Sequence, residues 1–128
     1  MKRCLHVMGL MFLLNIGLSL AQTNFNWARN IGSGSGEYPE SITTDANGNV
    51  LSTGAYQGSA DLDPGTGFSP VNANGSFDAY ISKLDALGNF IWGKSLGGSA
   101  NDVGHSIVTD AVGNVYVAGY FTGTVDFD

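Results

Sequence analysis

Cysteine is almost missing from this chain: Cys4 is the only one, and it lies ahead of an apolar run at the N-terminus. No intramolecular disulfide can form, which excludes the stapled mini-domains common among small secreted chains. Cations are nearly as scarce. Beyond residue 21 only Arg29, Lys83 and Lys94 stand against all eleven acids, too few to neutralise a row of phosphates. Neither nucleic acid nor an anionic membrane surface is an expected partner. Histidine is reduced to His105 in that part, so neither a zinc set nor a Ser-His-Asp triad can be assembled. No segment beyond the first 21 residues carries a 3.6-residue apolar period. Helices are not expected there.

The two ends carry their own signals. Lys2 and Arg3 precede the apolar run Leu5 to Leu20, and Ser19-Leu20-Ala21 supplies small residues at −3 and −1. Residues 1–21 therefore read as a signal peptide cleaved before Gln22. The run contains His6, Asn15 and two glycines, and is short for a hydrocarbon core of ~30 Å. Cys4 has no lipobox before it. The expectation is an exported bacterial protein, secreted or at the cell surface, with no membrane span after cleavage. At the other end, Asp126-Phe-Asp128 stops where the related Asp61-Leu-Asp63 runs on into Pro64-Gly65. This implies the N-terminal fragment of a longer product.

What the chain has in quantity is repetition. Asp45-Ala-Asn-Gly48-Asn49, Asp85-Ala-Leu-Gly88-Asn89 and Asp110-Ala-Val-Gly113-Asn114 are one turn written three times. Shifting Trp27–Asp63 by 65 residues lays it on Trp92–Asp128 with fourteen of 37 positions identical, among them Ile42/Ile107 and Gly54/Gly119. A fixed long period marks a repeat architecture. A first repeat at 27–91 and a truncated second at 92–128 follow, within a partial domain over 22–128.

Each Asp-Ala-x-Gly-Asn reads as a type I turn, with Asp accepting nearby N–H groups and Gly at positive φ. The flanking runs are rich in Val, Ile, Tyr, Phe, Trp and Thr, as strands prefer. They predict strands at Ser41–Thr44, Val50–Tyr56, Ala79–Leu84, Phe90–Leu96, Ser106–Thr109 and Val115–Phe121, with a further strand near Phe25–Ile31. One period holds two hairpins, which is an antiparallel four-stranded sheet and hence a β-propeller blade. The fold class is all-β, a partial β-propeller. Gly54 and Gly119 suggest a sharp twist or a close approach. The stretch Gly58–Ser76, rich in Gly, Pro, Asn and Ser, is the surplus over shorter propeller repeats.

Trp27–Gly32, Ser41–Gly54, Gly58–Asp63 and Phe77–Trp92 together resemble the bacterial seven-bladed β-propeller repeat known as SBBP, and Trp92–Asp128 restates the pattern. The string Asp78-Ala-Tyr-Ile-Ser-Lys-Leu-Asp85 with its Gly-Asn turn carries most of the resemblance. The resemblance implies a large exported protein and offers no catalytic residue to carry over. About one and a half repeats are present, where a closed ring needs several.

Candidate chemistry is sparse. Asp61-x-Asp63-x-Gly65 has the alternating carboxylates of a calcium loop, but no third Asp at the fifth position and no Glu at the twelfth; Asp61 and Asp63 are the candidate metal residues. Glu37 and Glu40 are the only glutamates and become Asp102 and His105 in the second copy. Paired carboxylates serve glycoside cleavage, although a solvated loop before a strand is the simpler reading. Trp27 and Trp92 suggest packing between blades. No cofactor and no catalytic residue are expected. The expected function is a non-catalytic binding or scaffold module whose partners are its neighbouring blades and an extracellular protein or glycan. The alternative is the N-terminal part of a propeller-type hydrolase acting on polysaccharide or protein.

Overall fold

A computed structural model of the chain describes residues 25–32, 34–125 and 127. The expected leader at 1–21, with its expected cleavage point, and Asp126 and Asp128 lie outside the described residues. All regular structure among the described residues is β: β1 (Glu37–Thr44), β2 (Val50–Tyr56), β3 (Ser59–Asp61), β4 (Pro70–Asn72), β5 (Asp78–Leu84), β6 (Phe90–Leu96), β7 (Val103–Thr109) and β8 (Val115–Tyr120). β1, β2, β5 and β6 form one antiparallel four-stranded sheet in that order, while β3–β4 and β7–β8 are separate hairpins. The sheet is a complete blade, and β7–β8 corresponds to the first half of a second.

The three repeated turns close by the same set of bonds. In the first, Gly48 N–H donates to Asp45 C=O at 3.0 Å and Asp45 N–H to Asn49 C=O at 3.0 Å. Asp45 Oδ1 accepts the Asn47 and Asn49 amides, and Asn49 Nδ2 donates to Oδ2 at 2.8 Å. Asp85 with Asn89 and Asp110 with Asn114 repeat the arrangement. The terminal Asn of the motif is thus a second clamp on the aspartate. Gly48, Gly88 and Gly113 have φ of 77°, 81° and 92°, the left-handed region that a Cβ disfavours.

The first cage has an extra partner, since Lys83 Nζ of β5 lies 2.8 Å from Asp45 Oδ2. Lys83, then Asn49, holds the Asp45 carboxyl well below the usual aspartate range. Asp85 and Asp110 are lowered as well, chiefly by their bonds from Asn89 and Asn114.

Four features differ from the sequence reading. β1 and β7 start earlier, at Glu37 and Val103 rather than Ser41 and Ser106, so Glu37 and Glu40 stand in a strand, not a loop. β1 and β7 each carry a bulge there: the register jumps between Pro39 and Ser41 and between Gly104 and Ser106, and the extra residue breaks the alternation that marks a strand. Gly58–Ser76 contains the added hairpin β3–β4, whose Ala60 and Leu62 join Tyr56 and Tyr80 in the buried core. Phe25–Ile31 forms no strand. Its equivalent β6 pairs with β5, but the β5 equivalent for 25–31 would fall at 13–19, within the apolar run Leu5 to Leu20. The segment instead crosses the β5–β6 turn, where Trp27 Nε1 donates to Ala86 C=O at 3.0 Å and Arg29 Nε to Gly88 C=O at 2.8 Å. Trp27 and Trp92 are accordingly half-buried, not core.

The second hairpin lies against one face of the blade. A Cβ on Gly104 of β7 would overlap Thr53 Oγ1 of β2, and Thr109 Oγ1 donates to Thr44 C=O at 3.2 Å, a bond between residues one period apart. Leu51, Thr53 and Ala55 are buried on this side. Tyr56, Tyr80, Ala60 and Leu62 fill the opposite side under β3–β4, with Tyr56 Oη 2.6 Å from Ser95 Oγ.

Two measurements check this account. Gly113 has open space around its missing Cβ, whereas a Cβ on Gly88 would sit 2.8 Å from the Trp27 ring. Gly113→Ala should lower urea-unfolding stability by about 1 kcal/mol, and Gly88→Ala by visibly more; equal losses would contradict the packing of Trp27. For pH, a carboxyl whose folded pKa is depressed stabilises fully above its unfolded value, near 4, and loses that contribution as pH falls through the lower folded value. The melting temperature should therefore drop below about pH 4, with a shallower acid slope in Lys83→Met.

Candidate functional site at the paired bulges

The bulge explains a glycine. Opposite Pro39 on β2 stands Gly54, where a Cβ would overlap Tyr38 C=O and approach Pro39 Cα to 2.9 Å. Gly119 faces Gly104 in the same way, and its Cβ would overlap Val103 C=O. The extra residue pushes the bulged strand onto its neighbour, and only glycine leaves room. β1 is an edge strand, which together with the bulge accommodates Pro39.

The bulged residues themselves are Glu40 and His105, one period apart. Freed from the ladder, both side chains reach the seam between the hairpins, where His105 Nδ1 lies 3.7 Å from Glu40 Oε2, an ion pair when the imidazole is protonated. Aromatic rings surround them. Tyr38 meets Phe77 edge-on at 5.4 Å, and His105 leans on Tyr120 at 5.5 Å. A cleft of about 340 Å³ opens here, with Asn101 also in its lining. Such a mixture of apolar walls and a few polar groups suits a small ligand or a side chain of a larger one.

Two buried aspartates, Asp78 and Asp102, stand next in sequence to the cleft-lining Phe77, Asn101 and Val103. Asp102 N–H donates to Phe77 C=O at 2.8 Å, while its carboxylate accepts Gly98 N–H and Thr122 N–H, each at 2.7 Å. Asp78 accepts the Asn74 and Gly75 amides at 3.0 and 3.3 Å. No cation is needed, because aligned N–H donors replace the water that each carboxylate loses. Asp102 occupies the place of Glu37, and Gly97 lies so close that a Cβ would meet the Asp78 carboxylate. The linker between blades is thereby held at both ends.

The other sequence candidates lie elsewhere. Asp61 Oδ1 accepts Asp63 N–H at 3.0 Å and Ser69 N–H at 2.8 Å, and Asp63 Oδ1 accepts Gly65 N–H at 2.7 Å. Both carboxylates shape the β3–β4 loop. No group of three or more metal-ligating side chains occurs among the described residues. Glu37 and Glu40 both border a larger hollow of about 630 Å³ on the Tyr56 and Tyr80 face of the blade; burial raises the pKa of both phenols. Glu40 and His105 were recognisable as repeat-specific differences. Tyr38, Phe77 and Tyr120 were not, because their meeting depends on the bulge; the recurring Gly54/Gly119 was the signal that could have located it.

With this geometry in view, the repeated antiparallel blade defines a β-propeller protein. The SBBP β-propeller repeat model matches residues 91–124, and the chain belongs to the proteins that carry this repeat. A relative, an uncharacterized WD repeat-containing protein of Acanthamoeba polyphaga mimivirus, is 33% identical over 110 residues, covering 75% of this chain. The chain spans 8% of the length of that relative.

Replacing Asp102 by Asn tests the linker lock. One carboxylate oxygen becomes an NH2 facing an N–H donor, at a cost of about 1–3 kcal/mol. Amide exchange at Gly98 and Thr122 should quicken most; unchanged exchange there would refute the role assigned to the carboxylate.

Proposed function

We propose that the chain is a binding or scaffold segment of an exported β-propeller protein, acting at the cell surface or outside the cell, and that the bulge cleft is its ligand-contacting position. The observation that carries this is the repeat-specific pair at one structural place: a strand bulge that the fold rebuilds in each blade presents Glu40 in the first and His105 in the second. Everything around the bulge serves geometry, whereas the bulged side chain is free to differ. The SBBP repeat and the leader-like residues 1–21 support the exported propeller. Among the described residues no helix is long and apolar enough to cross a membrane. The partner chemistry that suits the cleft is an extracellular glycan or protein, whose sugar faces or aromatic side chains can stack on Tyr38 and Tyr120.

Secretion is tested by producing the chain in a bacterial host and sequencing the exported product, which should begin at Gln22; retention of residues 1–21 would overturn the assignment. Binding is tested by affinity electrophoresis through gels cast with soluble polysaccharide or gelatin. Retardation should fall at least severalfold in the double variant Glu40→Ala, His105→Ala, with the fold intact by circular dichroism. Release of reducing ends or peptides from the same gels would instead favour the hydrolase alternative, in which Glu37 and Glu40 on the larger hollow act as the carboxylate pair.

A further inference from the structure

The aspartates of this chain are occupied by its own backbone. From Asp45 to Asp110, every described aspartate accepts N–H groups of a turn or linker. Glu40 is different. Its partner among the described residues is His105 Nδ1 at 3.7 Å, too long for a hydrogen bond. Beside a neutral imidazole, the carboxylate keeps a charge that no lysine or arginine in the cleft lining balances. Of the cations beyond residue 21, Lys83 is committed to Asp45 and Arg29 to Gly88 C=O, while Lys94 stands on β6 outside that lining.

The walls suit the missing charge. Tyr38, Phe77 and Tyr120 give the cleft its aromatic lining. A ring face attracts a cation through its quadrupole, and the stem of a lysine or arginine lies well on apolar surface. A volume of about 340 Å³ is at the small end of ligand pockets and fits one side chain better than an oligosaccharide. Both walls belong to this chain: β1, β2 and Phe77 on one side, Asn101 and β7–β8 on the other. The lining therefore does not depend on what adjoins the two hairpins.

We infer that this cleft takes a cationic side chain, an arginine or lysine of a partner protein, and that protonated His105 excludes it. The inference rests on the cleft being the ligand-contacting position. Glu40 accepts the guanidinium or ammonium group, and the aromatic rings cover the stem. His105 approaches the same carboxylate, so once protonated it forms the ion pair itself. Glu40 is the charged group that meets His105 from β1; Tyr120 of β8, Tyr38, Phe77 and Asn101 line the cleft around them. Asp102 is near in sequence but buried, with its carboxylate on the Gly98 and Thr122 amides. Acid thus replaces a foreign cation with one from the chain.

Titration of the full chain with acetyl-arginine-N-methylamide, followed by amide chemical shifts, tests this, with the citrulline analogue as a neutral isostere. At pH 8 arginine should shift the amides of Tyr38, Glu40 and His105 to saturation. Citrulline should bind roughly tenfold more weakly, and Glu40→Gln should lower arginine binding to the citrulline level. From pH 8 to pH 5, across the range where histidine changes charge, arginine affinity should fall severalfold in the unaltered chain and much less in His105→Gln. Equal binding of arginine and citrulline, shifts confined to other parts of the chain, or an affinity unmoved by acid would each overturn the inference. The first comparison uses the unaltered chain, so it decides even where a variant fails to fold. Retardation by polysaccharide without arginine binding would overturn the inference and leave the cleft's binding role standing; absence of both would remove that role too.

Discussion

Register is the constraint on which the rest of this structure depends, and the turn aspartates set it. A slip of one residue along β2 would exchange its two faces, sending Leu51 and Thr53 to the Tyr56 side and Tyr56 toward the second hairpin. Nothing in the strands alone forbids this, since both faces of β2 are apolar enough to bury. What forbids it is the cage at each hairpin, where Asp45 and Asn49 fix which residue enters the ladder first. Lys83 extends this control from the first turn to β5, tying the register of three strands to one carboxylate. The faces follow from the register, and the stacking of β7–β8 follows from the faces.

The bulge is the one place where the structure departs from regular pairing, and it does so at the same point in both blades. The extra residue costs a ladder position and forces glycine on the neighbouring strand. In exchange, the residue at the bulge is released from both faces of the sheet. Its side chain turns into the seam between the hairpins instead of into a packed face, and there Glu40 and His105 meet.

Much of the architecture was legible because local chemistry and global fold agree. The strands on either side of each turn were located by their β-branched and aromatic content, and the positive φ of Gly48, Gly88 and Gly113 by the turn motif. What escaped was whatever depended on contacts remote in sequence. The start of β1 was hidden by Pro39 and Glu40, which look foreign to a strand unless the bulge is known. β3–β4 was hidden because three-residue strands carry too little pattern. The extended reading of 25–31 failed for the opposite reason: its residues suit a strand, but the segment is held by side-chain bonds across the β5–β6 turn rather than by a ladder. The cleft was half visible, its polar pair through comparison of the repeats and its aromatic walls only in the folded chain.

The buried and half-buried aspartates change what the acidity of this chain means. Asp45, Asp61, Asp63, Asp78, Asp85, Asp102 and Asp110 all accept backbone N–H groups of turns and linkers. A chain that builds its loops in this way gains a negative charge with every blade, whatever its partners are. The low isoelectric point, about 4.5, is then largely a by-product of how the backbone is folded back on itself. Lengthening the protein by further blades of this type would deepen it in proportion, and mutual repulsion between such acidic chains would set the salt conditions under which they can approach one another.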